Sequence, residues 1–171
     1  MTSTETSEPV GGQKETLIEI GVRTHARSGL IFWTKKGSTL KTDYLAVAVA
    51  DGFVELSYNL GKQKELFFLR GNTRIDDGRW HTVSIERNKR HAVLQVDTHR
   101  PVTGVSETGA YTLNTDGIVW IGGYKSLPQG LPADYEQGFV GCLRDFSLNG
   151  DVISLTANAL TSSTVLRFCH D

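Results

Sequence analysis

Between Asp43 and Gly61 the chain reads DYLAVAVADGFVELSYNLG, an apolar run followed by one that alternates apolar with polar residues. Asp51-Gly52 separates the two and supplies the positive-φ positions of a two-residue turn, so the segment predicts a β-hairpin with strands over Tyr44 to Val49 and Phe53 to Tyr58. Shorter stretches of the same character predict strands at Leu17 to Val22, Leu30 to Trp33, Glu65 to Leu69, Trp80 to Arg87 and Ala92 to Asp97. Further strands are expected at Ile118 to Ile121, Phe139 to Leu148, Val152 to Leu155 and Val165 to Cys169, with one helical turn over Thr156 to Ser163. Ser28-Gly29, Ile75 to Gly78 and Asn149-Gly150 mark turns, and Lys35 to Thr42 and Ser126 to Gln137 read as loops. Short strands at turn-to-turn intervals of roughly 8 to 12 residues, without an amphipathic helix, indicate an all-β fold: an antiparallel β-sandwich or jelly roll.

Within the second hairpin, period two puts Val83 and Ile85 on one face and Thr82, Ser84 and Glu86 on the other, with Leu94 and Val96 as inward partners. Its tip, Asn88-Lys89-Arg90-His91, is polar and basic. Trp33, Trp80 and Trp120 lie in strand-like runs and are expected in the core. His81 should face the side opposite Trp80, in a structural or surface role. Residues 1–14 (MTSTETSEPVGGQK) hold too little apolar surface to offset their ordering entropy and read as a flexible leader or added tail.

A chain of 171 residues is long enough for one core, and residues 15–171 are expected to form one domain. The net charge of -1 argues against a dedicated nucleic-acid binder, whose surface would carry a basic excess. No apolar run approaches the length of about 20 residues needed to span a bilayer, so no membrane insertion is expected. The two cysteines, Cys142 and Cys169, are by number alone either a bonded pair in an oxidising compartment or two reduced, buried thiols.

Four motifs occur in order: Asp76-Asp77-Gly78-Arg79-Trp80-His81-Thr82-Val83-Ser84-Ile85-Glu86-Arg87, then Leu94-Gln95-Val96-Asp97, then Ile121-Gly122-Gly123, then Gly138-Phe139-Val140-Gly141-Cys142-Leu143-Arg144-Asp145, with a terminal Cys169. Together they resemble a laminin G-like domain over nearly the whole chain, from about Glu15 to Cys169. The last block is most similar to the agrin and perlecan type, and next to neurexins. The resemblance implies a jelly roll of two curved sheets, a Cys142–Cys169 disulfide, and an extracellular place in matrix or on the cell surface, as one module of a larger protein. One departure stands out: residues 1–14 offer no convincing counterpart of the family's opening strand, which would leave a sheet edge exposed.

The resemblance also implies a calcium site made by the side chains of Asp43 and Asn114 and the carbonyls of Leu60 and Thr112, with Asp116 an alternative to Asn114. Four such oxygens suit a hard cation that takes 6 to 8 ligands at roughly 2.3 to 2.6 Å, leaving positions open for a partner. A second candidate is the basic tip, Arg87, Lys89, Arg90 and His91, which could attract acidic glycans such as heparan sulfate. The expected partner is thus a cell-surface receptor protein or its acidic glycans, bound without catalysis. A carbohydrate-active enzyme is the alternative, since jelly rolls also carry glycoside hydrolases, but none of the expected strands carries two carboxylates two or four residues apart, as the roughly 5 to 10 Å separation of such enzymes would require.

Overall fold

The computed structural model describes residues 2–5, 12–157, 159–162 and 167–169. Two sheets face each other, as the alternation predicts. The seven-stranded sheet has the order β13 (Ala159–Ser162), β1 (Thr2–Glu5), β10 (Ile118–Ile121), β3 (Gly29–Lys35), β4 (Tyr44–Ala50), β5 (Phe53–Asn59) and β6 (Phe67–Arg74). The six-stranded sheet has the order β12 (Asp151–Val152), β11 (Cys142–Leu148), β2 (Glu15–Arg23), β7 (Trp80–Asn88), β8 (His91–Val96) and β9 (Val102–Val105). Every pair of neighbouring strands is antiparallel. This is the β-sandwich the sequence predicts.

The core between the sheets joins Ile18, Ile20, Val83, Ile85, Leu94 and Val96 to Phe32, Leu45, Val47, Val49, Leu56 and Ile121. The central hairpin pairs Tyr44 with Asn59 and Ala50 with Phe53 around Asp51 (φ 49°) and Gly52 (φ 82°). β4 is buried on both faces. Leu45, Val47 and Val49 face the core, while Tyr44, Ala46, Ala48 and Ala50 join Leu30 and Trp33 in a second apolar cluster. That cluster is capped by Leu127, Leu131 and Tyr135, from the loop that contains the short helix α1 (Ala133–Glu136). In β3 a bulge between Leu30 and Phe32 lets the neighbours Ile31 and Phe32 both enter the inner core.

Several expectations need correction. Thr2–Glu5, read as part of a flexible leader, forms β1, because its backbone pairs with β10 on one side and β13 on the other. The sheet edge expected there is therefore filled. Ala159–Ser162 is a strand in place of a helical turn, because β1 offers it a backbone partner. β9 and α1 were not anticipated, β6 starts two residues after Glu65 and continues to Arg74, and β12 covers only Asp151–Val152. Of the strand expected over Val165 to Cys169, residues 165 and 166 lie outside the described residues and residues 167–169 are not in a strand. Cys142 and Cys169 are bonded, with their Cα atoms 6.0 Å apart, and tie the chain's last segment to the start of β11.

Candidate functional site

The central hairpin carries Asp43 and Asn59 to one rim of the sandwich, since Tyr44 and Asn59 are partners at the open end of the strands. Asp43 is almost buried. Its Oδ2 accepts a 2.7 Å hydrogen bond from the amide of Asn114, which brings the two side-chain candidates into one cluster. Thr112 stands beside Asn114, whose Nδ2 donates to the Thr112 hydroxyl at 3.5 Å. Leu60 lies in a loop braced by its neighbours: its amide donates to Gln63 Oε1 at 2.9 Å, and Asn59 Oδ1 accepts from the Gly61 amide at 2.8 Å. Asp43, Leu60, Thr112 and Asn114 therefore lie at one rim.

Does this rim suit calcium? Gly61 takes a left-handed φ of 88°, and a Cβ there would lie 3.1 Å from Asp43 Oδ1. The glycine thus leaves free the flank of the one carboxylate oxygen that takes no hydrogen bond among the described residues. The donors present are a carboxylate, an amide and backbone carbonyls, which are hard oxygen ligands of the kind calcium prefers. The alternative ligand Asp116 is engaged elsewhere. Its Oδ1 accepts from the Ile118 amide at 3.0 Å, and its Oδ2 faces the Lys35 ammonium at 3.5 Å.

The basic tip divides. Arg87 is fully buried and cannot touch a glycan, so this candidate is corrected. The alternation already contained the signal: Arg87 follows His81, Val83 and Ile85 on the inward face of β7. Its Nη1 donates to Lys89 O at 2.8 Å and Lys14 O at 3.4 Å, and its Nη2 to Thr16 Oγ1 at 2.9 Å and Gln13 O at 3.0 Å. Burial pushes the guanidinium below its ordinary value, while the neighbouring Tyr58 hydroxyl and Asp43 carboxylate oppose this. Lys89 and His91 are exposed. Arg90 is partly buried and donates to Ser106 O at 2.8 Å, while its own carbonyl accepts from the Tyr58 hydroxyl at 2.7 Å. This last bond fixes the tip to the end of β5, on the rim that carries Asp43.

The opposite rim holds a different set. His81 is buried between two carboxylates, with Nδ1 2.8 Å from Asp97 Oδ2 and Nε2 2.8 Å from Asp77 Oδ1. Trp80 is half-buried between two arginines, 5.0 Å from Arg23 and 4.0 Å from Arg144, so it is less a core residue than a cation–π spacer. Trp33 is fully buried, and Trp120 packs partly buried on the same cluster.

Comparison with known proteins follows the same outline. The family model described as "Laminin G domain" matches residues 22–154. The chain is 30% identical over 155 residues to the basement membrane proteoglycan of Caenorhabditis elegans, covering 90% of this chain and 4% of that protein. It is 31% identical over 146 residues to human pikachurin, covering 84% and 14%. The chain thus spans only a small part of these relatives. Among solved structures, domains LG4-5 of the mouse laminin alpha1 chain superpose with a TM-score of 0.79 at 23% identity, over 95% of this chain and 42% of that one, which bears on the fold alone. Matched over most of its length by the family model, the chain belongs to the laminin G family.

Proposed function

We propose that this chain is a non-catalytic binding module of an extracellular matrix or cell-surface protein, and that it recognises a receptor or its acidic glycans through a calcium ion held at the Asp43 rim. The observation that carries this reading is the carboxylate of Asp43: one oxygen is fixed by the Asn114 amide, and the other faces the space left by Gly61. Asn114 and the carbonyls of Leu60 and Thr112 would complete the protein's share of the ligands. A bound calcium would supply positive charge and open coordination positions for anionic oxygens. Lys89, Arg90 and His91 stand on the same rim, so an acidic glycan would meet the cation and the basic tip together. The names of the relatives, a basement membrane proteoglycan among them, support an extracellular setting. No helix among the described residues is long and apolar enough to cross a membrane.

With a single carboxylate among the ligands, the dissociation constant should fall at roughly 10⁻⁴ to 10⁻³ M, in the range of extracellular modules. Titration calorimetry with calcium chloride should show one site, lost in Asp43→Ala, while the unfolding midpoint in chelator stays close to that of the parent. Equal heats from parent and Asp43→Ala would reject the assignment. Heparin retention that is calcium-independent and insensitive to joint neutralisation of Lys89 and Arg90 would reject the glycan reading.

A further inference from the structure

We propose that Arg87 is a positioning residue for the Asp43 rim, acting through the backbone of residues 12–14; the inference rests on the calcium reading of that rim. A fully buried guanidinium bonded only to neutral oxygens is an unusual investment of charge in a core. Its four contacts explain where that charge is used. Lys14 and Gln13 contribute carbonyls, Thr16 a hydroxyl and Lys89 a carbonyl, so one fork ties the strap before β2 to the tip of the β7–β8 hairpin. The amide of Lys89 closes the same junction with a 2.6 Å bond to Lys14 O.

The strap in turn holds the loop that holds Asp43. Gln13 and Leu113 exchange two backbone hydrogen bonds, of 2.9 and 2.8 Å, in an isolated bridge outside the strands. Asn114, the next residue, gives its amide to Asp43 Oδ2 at 2.7 Å. Gly12 lies against the same loop so closely that a Cβ there would stand 2.5 Å from Asn114 Oδ1 and 2.8 Å from Thr112 Cβ. The path from Arg87 to the carboxylate therefore runs through contiguous backbone, hydrogen bonds and one close packing contact. Arg87 touches none of the candidate ligands. Its charge also acts on Asp43 at a distance, and a cation beneath a calcium site disfavours the ion, so position and charge make opposite predictions.

Calcium titration of Arg87→Lys, Arg87→Met and Gly12→Ala separates them, together with amide hydrogen exchange in chelator at Leu113 and Asn114, referenced to Val49 and Val54 at the far end of the central hairpin. If Arg87 positions the rim, all three variants weaken calcium by about tenfold or more, as loss of an outer-shell support does. Exchange at Leu113 and Asn114 accelerates while the reference amides stay protected. The ammonium of Arg87→Lys cannot span four acceptors and does not rescue. Tighter calcium in Arg87→Met with parent-like binding in Arg87→Lys would overturn the proposal in favour of charge alone. Unchanged exchange at Leu113 and Asn114 in every folded variant would overturn it outright. Gly12→Ala leaves the buried arginine intact and keeps the test decisive if the Arg87 variants fail to fold. A parent that binds no calcium while the variants still loosen Asn114 would sink the calcium reading and sustain the positioning role.

Discussion

A neutral imidazole carries one N–H, yet both ring nitrogens of His81 face a carboxylate oxygen at 2.8 Å, so only the protonated ring donates to both Asp97 and Asp77. Burial pulls the ring down, but Asp97 and Asp77 outweigh it, and its pKa is raised above 6.5. The bond to His81 lowers Asp77 below 3.8; burial works to raise Asp97, but His81 and the Thr82 amide bring it below 3.8 as well. The signs follow by linkage. The histidine's contribution is complete below its unfolded value and is lost as pH climbs through the raised folded value, whereas that of the carboxylates is present above their unfolded value and is lost as pH falls through the depressed ones. Urea unfolding should therefore show stability highest between these limits and declining on both sides. His81→Gln should remove the alkaline decline, and His81→Ala should cost about 2 kcal/mol near pH 6. An alkaline limb of unchanged slope in His81→Gln would assign it to other groups. From sequence, His81 was visible only as a strand residue facing away from Trp80, because Asp97 reaches it from the turn after β8, a partner that local pattern does not name. The place of Asp43 at the open end of the hairpin was legible because the pattern around it is local, whereas Arg87 was misread as tip because its charge outweighed its place in the alternation.

At the scale of elements, the hairpin over Asp43 to Gly61 was readable because turn chemistry and alternation agree. Its second buried face was not, since the alanines of β4 are covered by residues some 80 positions away. The covering loop is fastened by a polar contact inside an apolar surround. Tyr135 donates to Glu55 Oε1 at 2.9 Å, and Arg70 donates to Glu55 Oε2 at 2.9 Å. Burial, and then the Glu55 charge, raise the Tyr135 hydroxyl well above its ordinary value, so it remains a donor throughout the working range. Tyr135→Phe leaves the buried carboxylate short of a partner and should destabilise by roughly 1 to 3 kcal/mol in urea unfolding. In a double-mutant cycle with Glu55→Leu the combined loss should be smaller than the sum; strict additivity would mean that the bond is energetically silent. β1 and β9 were missed because each has only four residues, too short for a period to show, and Thr-Ser-Thr-Glu has no apolar residue.

The whole molecule has two rims that gather different residues. Asp43, the loops at Leu60 and Asn114, and the Lys89 tip gather at one end of the sandwich, while the Asp51-Gly52 turn, the His81 clamp and Cys142–Cys169 lie at the other. Residues 142 and 169 are 27 apart, so in the chain-entropy model their bond contributes ~3.5 kcal/mol. Reduction should lower the urea midpoint accordingly yet leave calcium affinity within about twofold, because no contact of the Asp43 rim passes through it. A reduced protein that stays folded but loses calcium binding would join the two ends. Fold class was legible because alternation repeats along the chain. Which residues share a rim was not, since that depends on which strand ends meet.

The position of β1 has a consequence for the order in which the sheet can be assembled. It is the first of these strands to be synthesised, yet both of its neighbours, β10 and β13, come from the last third of the sequence. β2 likewise waits for β7 and β11. During translation the residues Leu17 to Val22 emerge as an apolar segment long before their pairing surfaces exist, and pairings so distant in sequence close slowly. The domain can therefore complete the β3–β4–β5 meander early, whereas β1 has no partner until β10 emerges.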